Sequence, residues 1–474
     1  MSGADYDLQE LRKDEALDQL AGRINVAQFV AYAPLPEGPE QTFCRLRGHR
    51  PNAAFSSLRA AAEELLRNSP DRAVNVRSYL PQDPRSKPFR YGLDRLDDIV
   101  EVAGSALDDG FYVILNETVD VQDGGVSGVV EGGIVEFAPD DTPRCVEKPG
   151  TASLQLDWGR KLLETVYGFA PDLAVEPGER LEFSIHPKPR GWRGTQTLGW
   201  EVEEVGPHRL TPRLTWPNRF SRLIGDKAYG LLMAHLAGAP VPLTSVYARR
   251  LRQHVFSFGQ ETGGRDVWVR TCPIEPVPGR YATRHGWVEP FALLEAEDPE
   301  PREWQDPDLH LSGLRHILAS AVVQAGVPAA WSGAYYVDAA GTGLTEGVAG
   351  AGDAFMLGRQ APQELPAQVR SEIERLAARL DEVFGPVRFE WVHDGERLWL
   401  VQLHRGSTAS QGDVIVPGEA AQWLRFEVGE GLAALRARLE TLPPDSGLEI
   451  VGQVGRTSHI ADVLRRAGVP SRLT

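Results

Sequence analysis

A histidine stands at position 459 within VGRTSHIADVLRRAGVPSRL, residues 454–473. Leu448-Glu449-Ile450-Val451 predicts a strand, 452–456 a loop, and IADVLRRAG a helix stopped by Gly468. His459 therefore falls at a strand–loop–helix junction beside a helix N-terminus. An imidazole placed there can carry a phosphoryl group, because the helix dipole and its unpaired N–H groups favour the added negative charge. The same residues also read as a plain cap, with Thr457 and Ser458 where hydroxyls often close a helix start. On residue types alone the cap is the simpler account.

Other residues point towards phosphate chemistry. Gly225-Asp226-Lys227 precedes the predicted helix AYGLLMAHL. A lysine at a glycine-bearing loop before a helix can meet a phosphate with its ammonium. Taken alone, it reads as a solvated lysine near a cap. Arg270 lies in WVRTCP, an apolar strand run. A buried arginine needs an anionic partner, either an internal carboxylate or a nucleotide phosphate. Glu390 and Gln402 flank the turn of a predicted hairpin, RFEWVHDGERLWLVQL, with Asp394-Gly395 at its tip. Their oxygens on one face suit Mg²⁺, a hard cation, although a paired, half-exposed sheet face looks the same. Glu346 precedes GVAGAGD, whose small residues let the backbone approach a nucleotide.

These residues must be positioned by a mixed architecture of short β-branched strands and amphipathic helices, which predicts an α/β (α+β) fold. SEIERLAARLDEVFG predicts a helix, with Ile373, Leu376, Leu380 and Val383 at helical spacing and Gly385 ending it. A long-period repeat runs through the chain. NVRSYLP, GGVSGVV, VEFAPDD, LLETVYGF and RLEFSIHP occur in that order in the first half. WVRTCP, AAWSGAYYV, TEGVAGAGD, RLDEVFGP and RFEWV follow in the second. The repeat predicts tandem related halves. It sets Arg77, Ser78, Glu117, Glu136 and Glu182 in places like those of Arg270, Thr271, Gln324, Glu346 and Glu390. The first half has no Gly-x-Lys loop. Its loop 137–150 offers Asp140, Asp141, Arg144 and Lys148, and His186, Arg190 and Arg193 form a basic turn. The stretch 295–308 reads as an acidic surface loop, and 406–418 as a linker.

IGDKAYGLL, VRTCP, VVQ…SGAYYV, EGVAGAGD and RFEWV…LWLVQLH together resemble the ATP-grasp nucleotide-binding domain of the phosphoenolpyruvate synthase and pyruvate phosphate dikinase group. Gly455, Thr457, Ser458, His459, Ala461, Arg465, Gly468 and Pro470 resemble that group's phosphohistidine segment. The resemblance implies a degenerate ATP-grasp-like copy over 1–215, a nucleotide-binding domain over 216–408, and a linker with a small phosphohistidine-like unit over 409–474. It implies that Lys227 and Arg270 contact ATP phosphates, that Gln324, Glu346 and His404 belong to the nucleotide site, and that Glu390 and Gln402 hold Mg²⁺. It also implies that His459 is the phosphoacceptor. Three positions depart from the pattern: Arg388 replaces an acidic residue, His404 an arginine, and Val454 a glycine. The group's phosphoenolpyruvate barrel has no counterpart in these 474 residues, so phosphoenolpyruvate synthesis by this chain is not expected.

The expected activity is thus an ATP-dependent phosphotransferase of dikinase type, passing phosphate from His459 to a small-molecule or protein acceptor the sequence does not identify. An ATP-grasp ligase forming an acyl-phosphate, or a non-catalytic nucleotide sensor, are the alternatives. A net charge of −16 disfavours nucleic acid as a partner. Only three cysteines occur, Cys44, Cys145 and Cys272, far apart and without metal-ligand spacing, which fits a reducing cytosol and argues against a disulfide framework or a zinc site. No run approaches the roughly 18 apolar residues of a membrane span, and a cytoplasmic location is expected.

Overall fold

Among the described residues, short strands pair antiparallel in four of the five sheets, and the small C-terminal sheet is mainly parallel. The computed structural model describes residues 12–81, 83–251, 255–274, 281, 283–298, 317–357, 359–410, 412–452 and 454–474, and side chains other than those of 83–88. Most of the acidic stretch expected as a loop, from 299 onwards, lies outside the described residues. The chain divides into two compact units, Met1–Arg160 with Phe169–Arg213, and Lys161–Gly168 with Leu214–Thr474. Among the described residues no helix is long and apolar enough to cross a membrane.

In the first unit, β1 (Phe29–Leu35), β2 (Gly38–Arg45), β3 (Val74–Leu80), β4 (Asp83–Leu93) and β5 (Tyr112–Glu117) pair in the order β2-β1-β5-β3-β4. Helices Leu58–Asn68 and Leu96–Asp108 cover this sheet, with Leu65, Ile99 and Ala103 packed on Val74, Val76 and Leu115. A second sheet comprises β6 (Val126–Glu131), β7 (Ile134–Pro139), β8 (Ala152–Gln155), β9 (Glu179–Arg190) and β10 (Thr195–Glu204), in the order β10-β9-β6-β7-β8.

The second unit contains β11 (Thr244–Ala248), β12 (Val255–Phe258), β13 (Val267–Pro273), β14 (Arg284–His285) and β15 (Leu318–Ala325), ordered β12-β11-β15-β13-β14. Its next sheet is β17-β16-β18-β19, from β16 (Trp331–Val337), β17 (Gly343–Ala349), β18 (Val387–His393) and β19 (Leu398–Arg405). The helix Ala367–Phe384 packs beside it and buries Ile373, Leu376 and Leu380; the last core residue is Phe384, with Val383 only half-buried. Gly385, at φ 70°, ends this helix. Last come β20 (Val414–Val416), β21 (Gln422–Glu427), β22 (Ser446–Val451) and β23 (Ser471–Leu473), ordered β20-β23-β22-β21. This small sheet has a core of its own, around Phe426, Leu435, Ile450, Ile460 and Leu464. The stretch expected as a linker is partly structured. Val414–Val416 forms an edge strand on β23, and Ser410 is fully buried with its Oγ donating to Ile415 O at 2.6 Å.

One strand order recurs. β2-β1-β5-β3-β4 matches β12-β11-β15-β13-β14 position for position, and β10-β9-β6-β7 matches β19-β18-β16-β17. Registers recur as well. Gly128 faces Phe137 and Phe183, as Gly333 faces Gly347 and Trp391. A Cβ on Gly128 would stand 2.0 Å from Glu136 O, and one on Gly333 would stand 2.1 Å from Glu346 O. Both pairings β9–β10 and β18–β19 carry a bulge just past the facing pairs Glu182/Glu201 and Glu390/Gln402. Register corrects one equivalence drawn from the sequence. Gln324 lies opposite Thr244 and Trp268, and the residue so placed in the first unit, opposite Phe29 and Asn75, is Asn116. Glu117, one residue on, therefore points to the other face. There it is fully buried and accepts hydrogen bonds from Gln28 N–H, Gln28 Nε2 and Gly191 N–H.

Candidate active site

Arg270 and Trp268 share one face of β13, because strand side chains alternate, and across β15 they face Val322 and Gln324. Arg270 is 7% exposed. Its Nη2 donates to Gln324 Oε1 at 2.9 Å and to Val401 O at 2.8 Å, while Nη1 donates to Gln402 Oε1 at 3.3 Å. The guanidinium thus links β13 and β15 to β19, yet every acceptor it has found is neutral. Its Nε is buried without a partner. Burial pushes this guanidinium below its usual value, opposed by the Glu390 carboxylate.

Lys227 is the second residue of the helix Asp226–Leu236. A glycine-bearing loop is expected before it. Instead a short helix, Arg219–Ile224, precedes it, capped by Asn218, and the single residue Gly225 at φ 91° makes the break. A Cβ on Gly225 would stand 2.4 Å from Cys272 Sγ, so the close approach of helix to β13 requires glycine. Burial, then repulsion from Arg270, depress the Lys227 ammonium below its ordinary 10.5. The folded chain therefore holds this proton more weakly than the unfolded chain, and the unliganded fold gains stability as pH rises through the depressed pKa towards 10.5. A phosphate beside Lys227 would reverse the shift, so nucleotide binding there is expected to take up protons at pH values between the depressed pKa and 10.5. Calorimetric titration in buffers of unlike ionisation enthalpy measures this uptake; a buffer-independent heat would contradict it.

The opposing sheet carries a row of four residues on one face: Glu346, Ala334, Glu390 and Gln402, paired across β17, β16, β18 and β19. Arg388 and His404 form the adjacent pair on that face. His404 Nδ1 lies 3.0 Å from Asp226 Oδ2, and its Nε2 lies 2.5 Å from Gln402 Nε2. With the Nδ1 proton towards Asp226, Nε2 accepts from the Gln402 amide, which turns Gln402 Oε1 to Arg270. Burial works to raise the Asp226 carboxyl, but His404 and the Trp216 indole hold it below its usual range. Both ring nitrogens of His404 are thus engaged by protein. As Mg²⁺ donors, Glu390 offers a carboxylate and Gln402 an amide oxygen already shared with Arg270. This set fits an ion that arrives with most of its oxygen ligands on a nucleotide's phosphates. Among the described residues there is no cluster of three or more His, Cys, Asp or Glu suited to a metal ion.

His459 is the first residue of the helix His459–Ala467. It lines a cleft of about 200 Å³ together with Arg270, Gln324, Glu390, Trp268 and Trp391. Lys227, Glu346, Gln402 and His404 do not line it. The cap reading of this segment needs correction, since Ser458 makes no side-chain cap and its Oγ is buried without a partner. Thr457 points elsewhere: its N–H and Oγ1 both donate to Glu346 Oε2 at 2.9 Å. The Glu346 carboxylate, expected at the nucleotide, instead grips the loop that carries His459. The His459 Nδ1 is buried and has no hydrogen-bond partner.

Residue chemistry alone did not single out Asp462, which holds the same helix. Its Oδ1 accepts from Arg388 Nη1 at 2.5 Å and from Arg465 Nη1 at 3.0 Å. Burial opposes ionisation there, but Arg388 and Arg465 keep the carboxyl below its usual range. The Asp462/Arg465 spacing of three residues was the only sequence signal, and it is common on helix surfaces. In the first unit the basic turn is partnered within the protein: His186 and Arg190 are buried, and Arg193 is exposed. Arg190 is 1% exposed and pairs with Asp71 and Asp123, and Arg193 donates to Ala21, Gly22 and Arg23 carbonyls. Lys148 pairs with Asp141.

No protein-family model matches the chain, and no curated protein matches it. Among solved structures it is similar over part of its length to the macrocyclase MdnB from Microcystis aeruginosa MRC, at 15% identity and a TM-score of 0.22, over 40% of this chain and 55% of that one. It is similar also to the D-alanine–D-alanine ligase from Helicobacter pylori, at 10% identity and a TM-score of 0.25, over 40% of this chain and 53% of that one. The chain thus spans little more than half the length of each.

Proposed function

We propose that the second unit is an ATP-dependent phosphotransferase in which Lys227 and Arg270 hold ATP phosphates and His459 receives a phosphoryl group. The observation that carries this reading is the shared cleft. Arg270, a buried cation with only neutral hydrogen-bond acceptors, lines it together with a histidine whose Nδ1 is unpartnered. A guanidinium in that state is a site for an anion. An imidazole nitrogen attacks phosphorus, a P–O bond breaks, and the leaving phosphate oxygen takes the charge near Arg270 and Lys227. Placement and charge neutralisation supply most of the rate in such transfers. Glu390 and the Gln402 amide oxygen are the residues that would hold Mg²⁺, which would supply neutralisation of phosphate charge.

The ATP-grasp resemblance, the common strand order, the matching bulges and the two equivalent glycines support an origin by internal duplication, in which the first unit no longer binds ATP. The small C-terminal sheet with His459 is the phosphohistidine-like unit. The acceptor beyond His459 is a small molecule or a protein. Incubation with ATP labelled at the β- or γ-phosphate tests the assignment. AMP with label retained on protein is the dikinase outcome, ADP with an acyl-phosphate is the ligase outcome, and bound but unchanged ATP would make the chain a sensor.

A further inference from the structure

The first unit contains a side-chain relay for which the ATP reading has no use. Ser184 and His186 lie two residues apart on β9 and so share a face, and Asp123 sits on the loop before β6. Ser184 Oγ is 2.8 Å from His186 Nε2, and His186 Nδ1 is 2.9 Å from Asp123 Oδ2. The proton positions follow from the donor inventory. In the neutral imidazole, with an Asp123 carboxylate that only accepts, Nδ1 carries the proton, Nε2 is an acceptor, and the Ser184 hydroxyl points its hydrogen at it. Trp200 fixes the same orientation from the other side, because its Nε1–H, 2.8 Å from Ser184 Oγ, can only donate. Asp123 is itself held in place, accepting from Gly125 N–H at 3.0 Å and from Arg190 Nη2 at 3.3 Å.

Ser184 and Trp200 border a cavity of about 400 Å³, with Ser127, Arg144 and Glu182 also on its wall. This cavity occupies the register positions of the second unit's cleft. Ser127 and Glu182 face Ser184 and Val129 as Ser332 and Glu390 face Val392 and Ala334, and Ser332, Glu390 and Val392 line the second cleft. At the position of Val392 the first unit carries a serine whose proton is aimed at a carboxylate-backed imidazole. A base within hydrogen-bond reach of a hydroxyl, itself oriented by a third group, is the arrangement that activates a serine nucleophile.

We infer that Ser184 is a nucleophile of the first unit, with His186 as its base and Asp123 as positioning residue, acting on small uncharged acyl esters. Val119, Val121, Pro143 and Trp200 give the cavity an apolar lining suited to an uncharged ligand, and Arg144 is the cation on the same wall that can face a developing oxyanion. Ser184 Oγ bonds to the acyl carbon and the bond to the alcohol oxygen breaks. The serine proton passes to His186 Nε2 and then to the leaving alkoxide, and water hydrolyses the acyl-serine to the acid and free serine.

The test uses the full chain and a small alkyl fluorophosphonate, in which an Oγ–P bond forms, P–F breaks and fluoride leaves. One adduct per chain is expected by intact mass, mapped to Ser184 by peptide sequencing. Ser184→Ala is expected to take no adduct, and His186→Gln to label about 100-fold more slowly or worse, from loss of the base. p-Nitrophenyl acetate should give a burst of one p-nitrophenolate per wild-type chain. A wild-type chain with no adduct, or with its adduct elsewhere, overturns the proposal without reliance on any variant's folding. A folded His186→Gln chain that labels at the wild-type rate overturns the role of the relay.

Discussion

The His459→Asn chain is expected to bind ATP as tightly as the wild type and to retain no acid-labile phosphate from it. Phosphohistidine hydrolyses in mild acid and persists in base, so the pair of treatments identifies the linkage as well as the loss. Asparagine keeps a polar side chain of similar reach at the first position of the helix His459–Ala467, and the segment's anchors do not involve the imidazole. These are Thr457 on Glu346 and Arg388 and Arg465 on Asp462. The substitution therefore removes the proposed nucleophile and spares the scaffold. Transfer needs a nitrogen at phosphorus, so the expected loss of label is complete rather than partial. The proposal rests binding on Arg270 and Lys227, so binding should survive. If His459→Asn labels as well as wild type, the phosphohistidine mechanism is wrong and acyl-phosphate chemistry becomes the better account.

Neutralising the cations should do the reverse, removing binding and labelling together. A hydrogen bond to a charged group contributes about 1.5–3 kcal/mol, so Lys227→Gln is expected to weaken ATP binding by roughly 10–100-fold. The glutamine keeps much of the lysine's length, and the helix N–H that meets Cys272 Sγ belongs to the backbone. Arg270→Ala should cost at least as much affinity, but it also strips donors from Gln324, Gln402 and the Val401 carbonyl. Its thermal unfolding must therefore be measured beside its affinity, and Lys227→Gln is the cleaner comparison. Nucleotide affinity unchanged in both folded variants would remove the phosphate site assigned to these two residues.

Local regularities were legible from the chain itself. The spacing of Ile373, Leu376 and Leu380 specified the helix Ala367–Phe384, and Gly385 specified its end, because only one face at that period can be buried. Asp394-Gly395 specified a hairpin turn, and there Asp394 Oδ1 accepts from the Glu396 and Arg397 N–H groups. These features are fixed by a few adjacent residues, so no distant contact had to be known.

Partners distant in sequence were decided only by the tertiary structure. Nothing in RFEWV shows that Arg388 pairs with Asp462, or in EGVAGAGD that Glu346 accepts from Thr457, since each bond depends on how a separate small sheet sits on β16–β19. The Glu117 assignment failed because a one-residue change of strand register exchanges the two faces of a sheet, and registers are set by pairing across the sheet. The Ser184–His186–Asp123 relay shows both levels at once. The serine and histidine share a face by the period of the strand alone. Asp123, 63 residues from His186, reaches them only through the loop before β6. Strand and helix periods are written into neighbouring residues, whereas a bond between distant side chains exists only once the chain has closed on itself.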